Sequence, residues 1–251
     1  MMDWKYLADK LFPHIVETPE QVEARYPKRN LPEGAKVTRM GPSPTGFMHL
    51  GNLYGALVDE RLAHQSGGVF YLRIEDTDRK REVEGGVQTI IDAFSAFGLP
   101  FDEGATLDGE TGDYGPYRQS QRAQIYQTFV KSLMERGMAY PCFCTEEELA
   151  AAHAEQEKNK ENFGYYGKYA VWRDRTLEDI EAELAKGTPY VVRFRSEGSI
   201  DHKIRHEDLV KGKMEVTETD QDVVILKSDG IPPYHFAHVV ADHLMGPTVV
   251  W

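Results

Sequence analysis

His49 and Gly51 stand at the end of a Pro- and Gly-rich run, Gly41-Pro42-Ser43-Pro44-Thr45-Gly46-Phe47-Met48, and a charged block, Arg73-Ile74-Glu75-Asp76-Thr77-Asp78, follows further along the chain. The chemistry these residues suit is phosphate binding. Gly51 lets the backbone approach a nucleotide, His49 can donate to a phosphate oxygen, and a helix opening there adds its unpaired N–H groups and positive dipole end. The elements that must position them can be read on either side. Val37 to Met40 reads as a short strand and Leu50 to His64 as an amphipathic helix whose apolar face is Leu50, Leu53, Tyr54, Leu57, Val58 and Leu62. Gly67-Gly68 stop that helix, and Val69 to Leu72 run on as a second, parallel strand. The result is a nucleotide-binding βαβ unit with a charged site beside it. A lone His-x-Gly would more readily be an ordinary turn with a capping or surface histidine, so the weight lies in the ordered company of the two blocks.

At these residues the chain resembles glutamyl-tRNA synthetases, class I aminoacyl-tRNA synthetases with a "PSPTG, two residues, HIGH-like" run followed by RIEDTD. Asn52 takes the last position of the HIGH element, a position that varies in the family. Tyr114-Gly115-Pro116-Tyr117-Arg118-Gln119-Ser120 and Ser228-Asp229-Gly230-Ile231-Pro232-Pro233-Tyr234-His235-Phe236-Ala237-His238 extend the likeness over nearly the whole chain from about Lys36 onward. The resemblance implies an α/β protein: a Rossmann-like parallel-sheet nucleotide-binding fold with an inserted α+β domain that grips the tRNA acceptor stem.

Composition agrees with this expectation. The chain has 251 residues, enough for one large domain or two small ones. No apolar run approaches membrane-spanning length and the N-terminus lacks a secretory pattern, so a soluble, cytoplasmic protein is expected. The net charge of −12 at first argues for an acidic enzyme without a nucleic-acid partner. Acid, however, is concentrated in Glu146 to Glu157 and Glu178 to Glu183, on helices read as solvated, while Arg73, Arg79, Lys80 and Arg81 cluster near the charged block; a local basic track suffices for tRNA.

Four segments are expected: an extension over residues 1–35, the first half of the nucleotide fold over 36–112, the inserted domain over 113–220, and the second half of the fold over 221–251. A second amphipathic helix carries Val87, Ile90, Ile91, Phe94 and Phe97 and stops at Gly98 and Pro100. Ser120 to Arg136 reads as a third helix, with Ile125, Phe129 and Leu133 on one face. Pro189 to Phe194 reads as a strand, Asp201 to Glu215 as a polar hairpin, and Val223 to Leu226 as a buried strand of the second half. No internal repeat or low-complexity segment is visible.

The resemblance assigns roles. His49, Gly51 and Asn52 carry catalysis and, with Pro42 and Ser43, bind ATP, whose α-phosphate must meet the attacking carboxylate in line. Arg39 and Tyr234 bind the side-chain carboxylate of L-glutamate, while Glu75, Ser43 and the backbone near Gly41 hold its α-amino group. A structural Arg39–Glu75 ion pair between neighbouring strands is the plain alternative. His238, where several family members have an amide, lies one helical turn beyond Tyr234 and can face the same pocket. Asp78 and Arg81 approach the 3′ end of the tRNA, or are simply part of a solvated charge run. ATP with Mg2+ is the implied cofactor set, tRNA(Glu) the implied partner, and a monomer the expected state.

Cys142-Phe143-Cys144 resembles half of a zinc site found in many relatives. No cysteine follows near Tyr165-Tyr166-Gly167, where Trp172 takes the missing ligand's place, so no zinc is expected and the cysteines read as packing residues. Gly246 to Trp251 reads as entering a strand of the second half, which makes the chain an N-terminal portion ahead of the lysine-rich KMSKS-like loop and the anticodon-binding domain. Such a portion is expected to bind ligands yet to lack normal aminoacylation. Within the class, the shorter relative that glutamylates a modified tRNA base is the alternative, disfavoured by the long insertion and the GPYRQS block. Outside it stand a pantothenate-synthetase or cytidylyltransferase-like nucleotidyl transferase, which would lack RIEDTD and the insertion, and a non-catalytic tRNA- or amino-acid-binding module.

Overall fold

The computed structural model describes residues 2–46, 48–78 and 81–250. Phe47 of the signature run, and Arg79 and Lys80 of the basic cluster, lie outside the described residues. The elements are α1 (Trp4–Leu11), α2 (Pro19–Glu23), β1 (Val37–Met40), α3 (Leu50–Gln65), β2 (Val69–Leu72), α4 (Gly86–Ala96), β3 (Glu103–Ala105), β4 (Glu110–Thr111), α5 (Ala123–Glu135), β5 (Ala139–Cys142), α6 (Glu146–Asn159), α7 (Leu177–Ala185), β6 (Val191–Phe194), β7 (Lys203–Asp208), β8 (Gly212–Thr217), β9 (Val224–Leu226) and α8 (Tyr234–Met245). Two compact units divide the chain: residues 1–16 with 130–230, and residues 17–129 with 231–251. These limits differ from the boundaries read in the sequence, because the extension is shared between the units and residues 113–129 stay with the nucleotide fold.

In the unit formed by 17–129 and 231–251, the sheet order is β1-β2-β3-β4, with β1, β2 and β3 parallel and β4 returning antiparallel. β2 is its buried centre: Phe70, Tyr71 and Leu72 have almost no exposed surface, as a parallel strand covered on both faces requires. α3 and α4 are the crossovers. α3 ends where the glycines predict, Gly67 taking a φ of 69° and Gly68 donating its N–H back to Ala63 at 2.8 Å. In α4, Ile90 and Phe94 are buried as expected, but Phe97 caps the helix and is exposed, since the helical register ends at Ala96.

The face of α3 differs from the expected one. Ala56, Asp59, Glu60 and Ala63 are buried, whereas Leu50, Tyr54, Leu57 and Leu62 are exposed. The reason is proximity. The Thr38 hydroxyl on β1 donates to the Asp59 carbonyl at 2.8 Å, which ties that face of the helix to the sheet, and Ala56 and Ala63 on either side of Asp59 are fully buried with it.

The segment after α2 has a role the sequence left unassigned. Arg29 forms a two-bond fork on Glu103 of β3 at 2.6 and 2.9 Å and stacks 3.7 Å from the Tyr114 ring, while Tyr117 donates its hydroxyl to the same carboxylate at 2.8 Å. It braces the β3–β4 edge of the sheet.

In the other unit, β5, β6 and β9 form an antiparallel sheet and β7 and β8 a separate hairpin that matches the expected one. β9 therefore corrects the reading of Val223 to Leu226 as a strand of the nucleotide fold. A three-residue apolar run carries no information about which sheet it joins, and here it pairs with β6 at Val192 and Arg193. The chain returns to the nucleotide fold only at Ile231. Among the described residues no helix is long and apolar enough to cross a membrane.

Candidate active site

The loop after β1 and the segment after β2 run side by side. Arg73 donates its N–H to Met40 and Glu75 donates to Pro42, both at 3.0 Å, so the glycine-rich turn and the RIEDTD block are stitched together at the carboxyl ends of adjacent parallel strands. The GPYRQS block secures the second from its other side. Ile74 and Arg118 form a parallel bridge, and the Asp76 carboxylate accepts the N–H of Ser120 at 2.8 Å and its hydroxyl at 2.7 Å. Two segments distant in sequence, the loop after β1 and the GPYRQS block, thus fix the backbone on either side of Glu75.

Around that carboxylate lies a buried charge network. Arg73, without exposed surface, donates to Glu75 at 3.0 Å and to Asp242 at 2.6 Å. Arg39 places Nε and Nη2 on the two carboxylate oxygens of Asp242, each at 2.8 Å. His238 closes the ring: Nε2 makes a short contact to Glu75 Oε2, and Nδ1 lies 3.4 Å from Arg39 Nη2. An arginine can only donate, so Nδ1 is the acceptor and Nε2 carries the proton it shares with Glu75. Burial pushes the Arg39 guanidinium down, but the Asp242 fork more than reverses this and Arg39 stays cationic. Burial likewise raises the Asp242 carboxyl, and the Arg39 fork with the Arg73 charge brings it below the usual carboxylate range.

The structural Arg39–Glu75 ion pair, the plain alternative in the sequence, does not form. Arg39 is paired with Asp242 and Glu75 with Arg73 and His238. Asp242 was missed in the sequence, although a signal was there: Tyr234, His238 and Asp242 recur every four residues and share one face of α8. Tyr234 is half exposed and its ring lies 4.0 Å from the His238 ring. Gly41 is required by the network, since a Cβ there would sit 2.3 Å from Glu75 Oε1. Ser43 is exposed and Pro42 buried on the same loop.

His49 is the N-cap of α3 and exposed. Asn52 accepts the His49 N–H on its Oδ1 at 3.1 Å, a helix-capping bond, and a Cβ on Gly51 would lie 3.0 Å from the His49 ring. The turn leaves the imidazole and the first N–H groups of the helix open to a phosphate. Arg73 departs from the basic track read in the sequence, because its charge is spent inside the network. Arg81 is exposed and pairs with Asp78 at 2.6 Å. In the other unit, Cys142 donates to the Tyr165 hydroxyl at 3.4 Å, and the Cys144 sulfur lies 3.4 Å from the same oxygen.

Residues 36–250 match the model of the family described as tRNA synthetases class I (E and Q), catalytic domain. The chain belongs to that family. As a class I synthetase catalytic domain it is 57% identical over 250 residues to the glutamate–tRNA ligase of Acetivibrio thermocellus, covering 99% of this chain and 46% of that protein. It is 50% identical over 250 residues to the glutamate–tRNA ligase of Clostridium perfringens, with the same coverage of each. The chain thus spans about half the length of these relatives. Its fold is similar to the crystal structure of a glutamate tRNA ligase from Elizabethkingia meningosepticum in complex with its amino acid, at a TM-score of 0.77 and 38% identity, covering 87% of this chain and 43% of that one.

Proposed function

We propose that the chain is the part of a glutamate–tRNA ligase that binds L-glutamate and ATP and presents them to the acceptor end of tRNA(Glu). The observation that carries this reading is the Arg39–Asp242–Arg73–Glu75–His238 network, which holds one guanidinium and one carboxylate at opposite ends of a buried, preorganised site. Asp242 occupies the Nε side of Arg39, so an incoming side-chain carboxylate meets the remaining Nη edge, with Tyr234 beside it. Glu75, the backbone at Gly41 and Ser43 receive the α-ammonium, and His238 joins the two halves. Next to this pocket, His49, Gly51 and the N-terminus of α3 hold the phosphates of ATP with Pro42 and Ser43, while Asn52 keeps the helix end in register.

In that arrangement the α-carboxylate of glutamate attacks the α-phosphate of ATP in line, the bond to the β-phosphate breaks and pyrophosphate leaves, and the donors at the α3 N-terminus stabilise the charge that develops on the phosphoryl oxygens. Among the described residues no three of His, Cys, Asp or Glu converge on a metal position, so Mg2+ would be held chiefly by the phosphates it arrives with. Asp78 and Arg81 meet the tRNA 3′ end, in a cytoplasmic monomer. Calorimetry with L-glutamate, L-glutamine and ATP tests the reading. Saturable heat with glutamate and ATP and none with glutamine supports it; binding of tRNA without either small ligand would replace it with a tRNA-binding module.

A further inference from the structure

We propose that Cys142 and Cys144 form a reversible dithiol that hydroperoxides oxidise to an intramolecular disulfide. Cys142 ends β5 and Cys144 follows two positions on, so in extended chain both side chains leave on the same side. The structure bears this out: each sulfur lies 3.4 Å from one oxygen, the Tyr165 hydroxyl, which also accepts the Trp172 N–H at 3.0 Å. The backbone bond holds the hydroxyl in place, and the hydroxyl holds the two sulfurs together.

Reactivity follows from the surroundings. Phe143, between the cysteines, packs on Trp172 with ring centroids 4.8 Å apart, and the Arg193 guanidinium lies 3.8 Å from the Tyr165 ring. A nearby cation and hydroxyl favour a thiolate. The paired thiols share a proton: the Cys142 thiol is drawn down to about 5, chiefly by its hydrogen bond with Cys144, and the Cys144 thiol is pushed up, chiefly by that same hydrogen bond and then by burial. Cys142 is buried and Cys144 half-buried, so a small oxidant reaches the Cys142 sulfur from the Cys144 side.

The chemistry balances with the peroxide as two-electron oxidant. The Cys142 thiolate attacks one peroxide oxygen, the O–O bond breaks, and Cys142 sulfenic acid forms with release of hydroxide. The Cys144 sulfur then attacks the Cys142 sulfur, the S–O bond breaks, and a second hydroxide leaves; the Cys144 proton and the one originally lost by the pair convert the two hydroxides to water. A bond between residues so close along an extended strand is strained, which makes it oxidising and readily reopened by thiols.

The test uses the chain purified with chelator and reductant, desalted, and exposed to hydrogen peroxide. Intact mass should fall by two hydrogens, titratable thiols should go from two to none, and dithiothreitol should restore both. Cys144→Ser and Cys142→Ser should each lose the response. Should either variant fail to fold, alkylation and peptide mapping of the unaltered oxidised chain decide: a bond joining Cys142 to Cys144 in one peptide supports the proposal. Thiols that stay free, a disulfide between two chains, or direct passage to sulfinic acid would overturn it.

Discussion

Asp242 grips Arg39 through two parallel bonds, Oδ1 to Nε and Oδ2 to Nη2 at 2.8 Å each, across 203 residues of sequence. Such a fork fixes the plane of the guanidinium as well as its charge. It also leaves Asp242 Oδ1 to receive Arg73 at 2.6 Å, so one carboxylate neutralises two buried cations. Replacing it with asparagine keeps the shape and removes the charge. Asp242→Asn should cost about 3–5 kcal/mol in urea unfolding, the usual penalty for leaving a buried charge uncompensated. It should also weaken glutamate binding, while ATP binding changes little. Unaltered stability would mean that Arg39 and Arg73 find their neutralisation elsewhere.

Gly41 tests the close approach of the first loop to Glu75. A Cβ at this position would meet Glu75 Oε1 at 2.3 Å, and that oxygen is already held by Arg73. Gly41→Ala should therefore displace the carboxylate and reduce glutamate affinity by tenfold or more, about 1.4 kcal/mol. Far-UV circular dichroism should stay unchanged. Native affinity in the variant would show that Glu75 can shift without consequence for the ligand.

Asp59 gives the chain an alkaline liability. It is 4% exposed, its Oδ1 is buried without a hydrogen-bond partner, and burial pushes its carboxyl up to about 6. The folded pKa lies above the unfolded value of 3.8, so the folded state binds the proton more tightly. Stability is then greatest below the unfolded pKa and declines as pH rises through about 6, by about 3 kcal/mol in all. Asp59→Asn should be close to neutral in acid and more stable than the native chain at neutral pH, as read by urea unfolding at both. Equal stabilities at neutral pH would contradict this.

His64 adds to the same trend. Its ring nitrogens lie 2.8 Å from Glu60 and 2.9 Å from Asp102, and these carboxylates raise its pKa against the opposing effect of burial. A raised histidine contributes stability that is complete below its unfolded pKa and lost as pH rises through the folded one. In an Asp59→Asn background, a residual loss of stability as pH rises past the unfolded histidine value of 6.5 should persist and disappear with His64→Gln. A flat profile before the second substitution would remove the His64 contribution.

The parts of this molecule that were legible in the sequence are those decided by local chemistry. β1, the glycine-rich turn, the stop at Gly67-Gly68 and the hairpin of β7 and β8 all follow from residues that neighbour one another in the chain. The buried face of α3 was not legible, because Thr38 ties the face bearing alanines 56 and 63 to the sheet, and hydropathy alone favours Leu50, Tyr54 and Leu57. β9 was misread for a related reason: Val224 to Leu226 is too short to declare its partner. At the site, Arg39, Glu75 and His238 were named, but their pairing was not. A salt bridge is a property of two positions in space, and the four-residue spacing to Asp242 was the only trace of it along the chain.

The most direct measurement is calorimetric titration of L-glutamate into the chain and into its Arg39→Ala variant, with ATP titrated into both. Saturable glutamate binding is expected in the native chain. The variant should lose it by about 2–5 kcal/mol, the cost of removing one partner of a buried charge pair, and should retain its ATP binding. Equal glutamate affinity in the two proteins would contradict the assignment of Arg39, and with it the reading of the buried network as an amino-acid site.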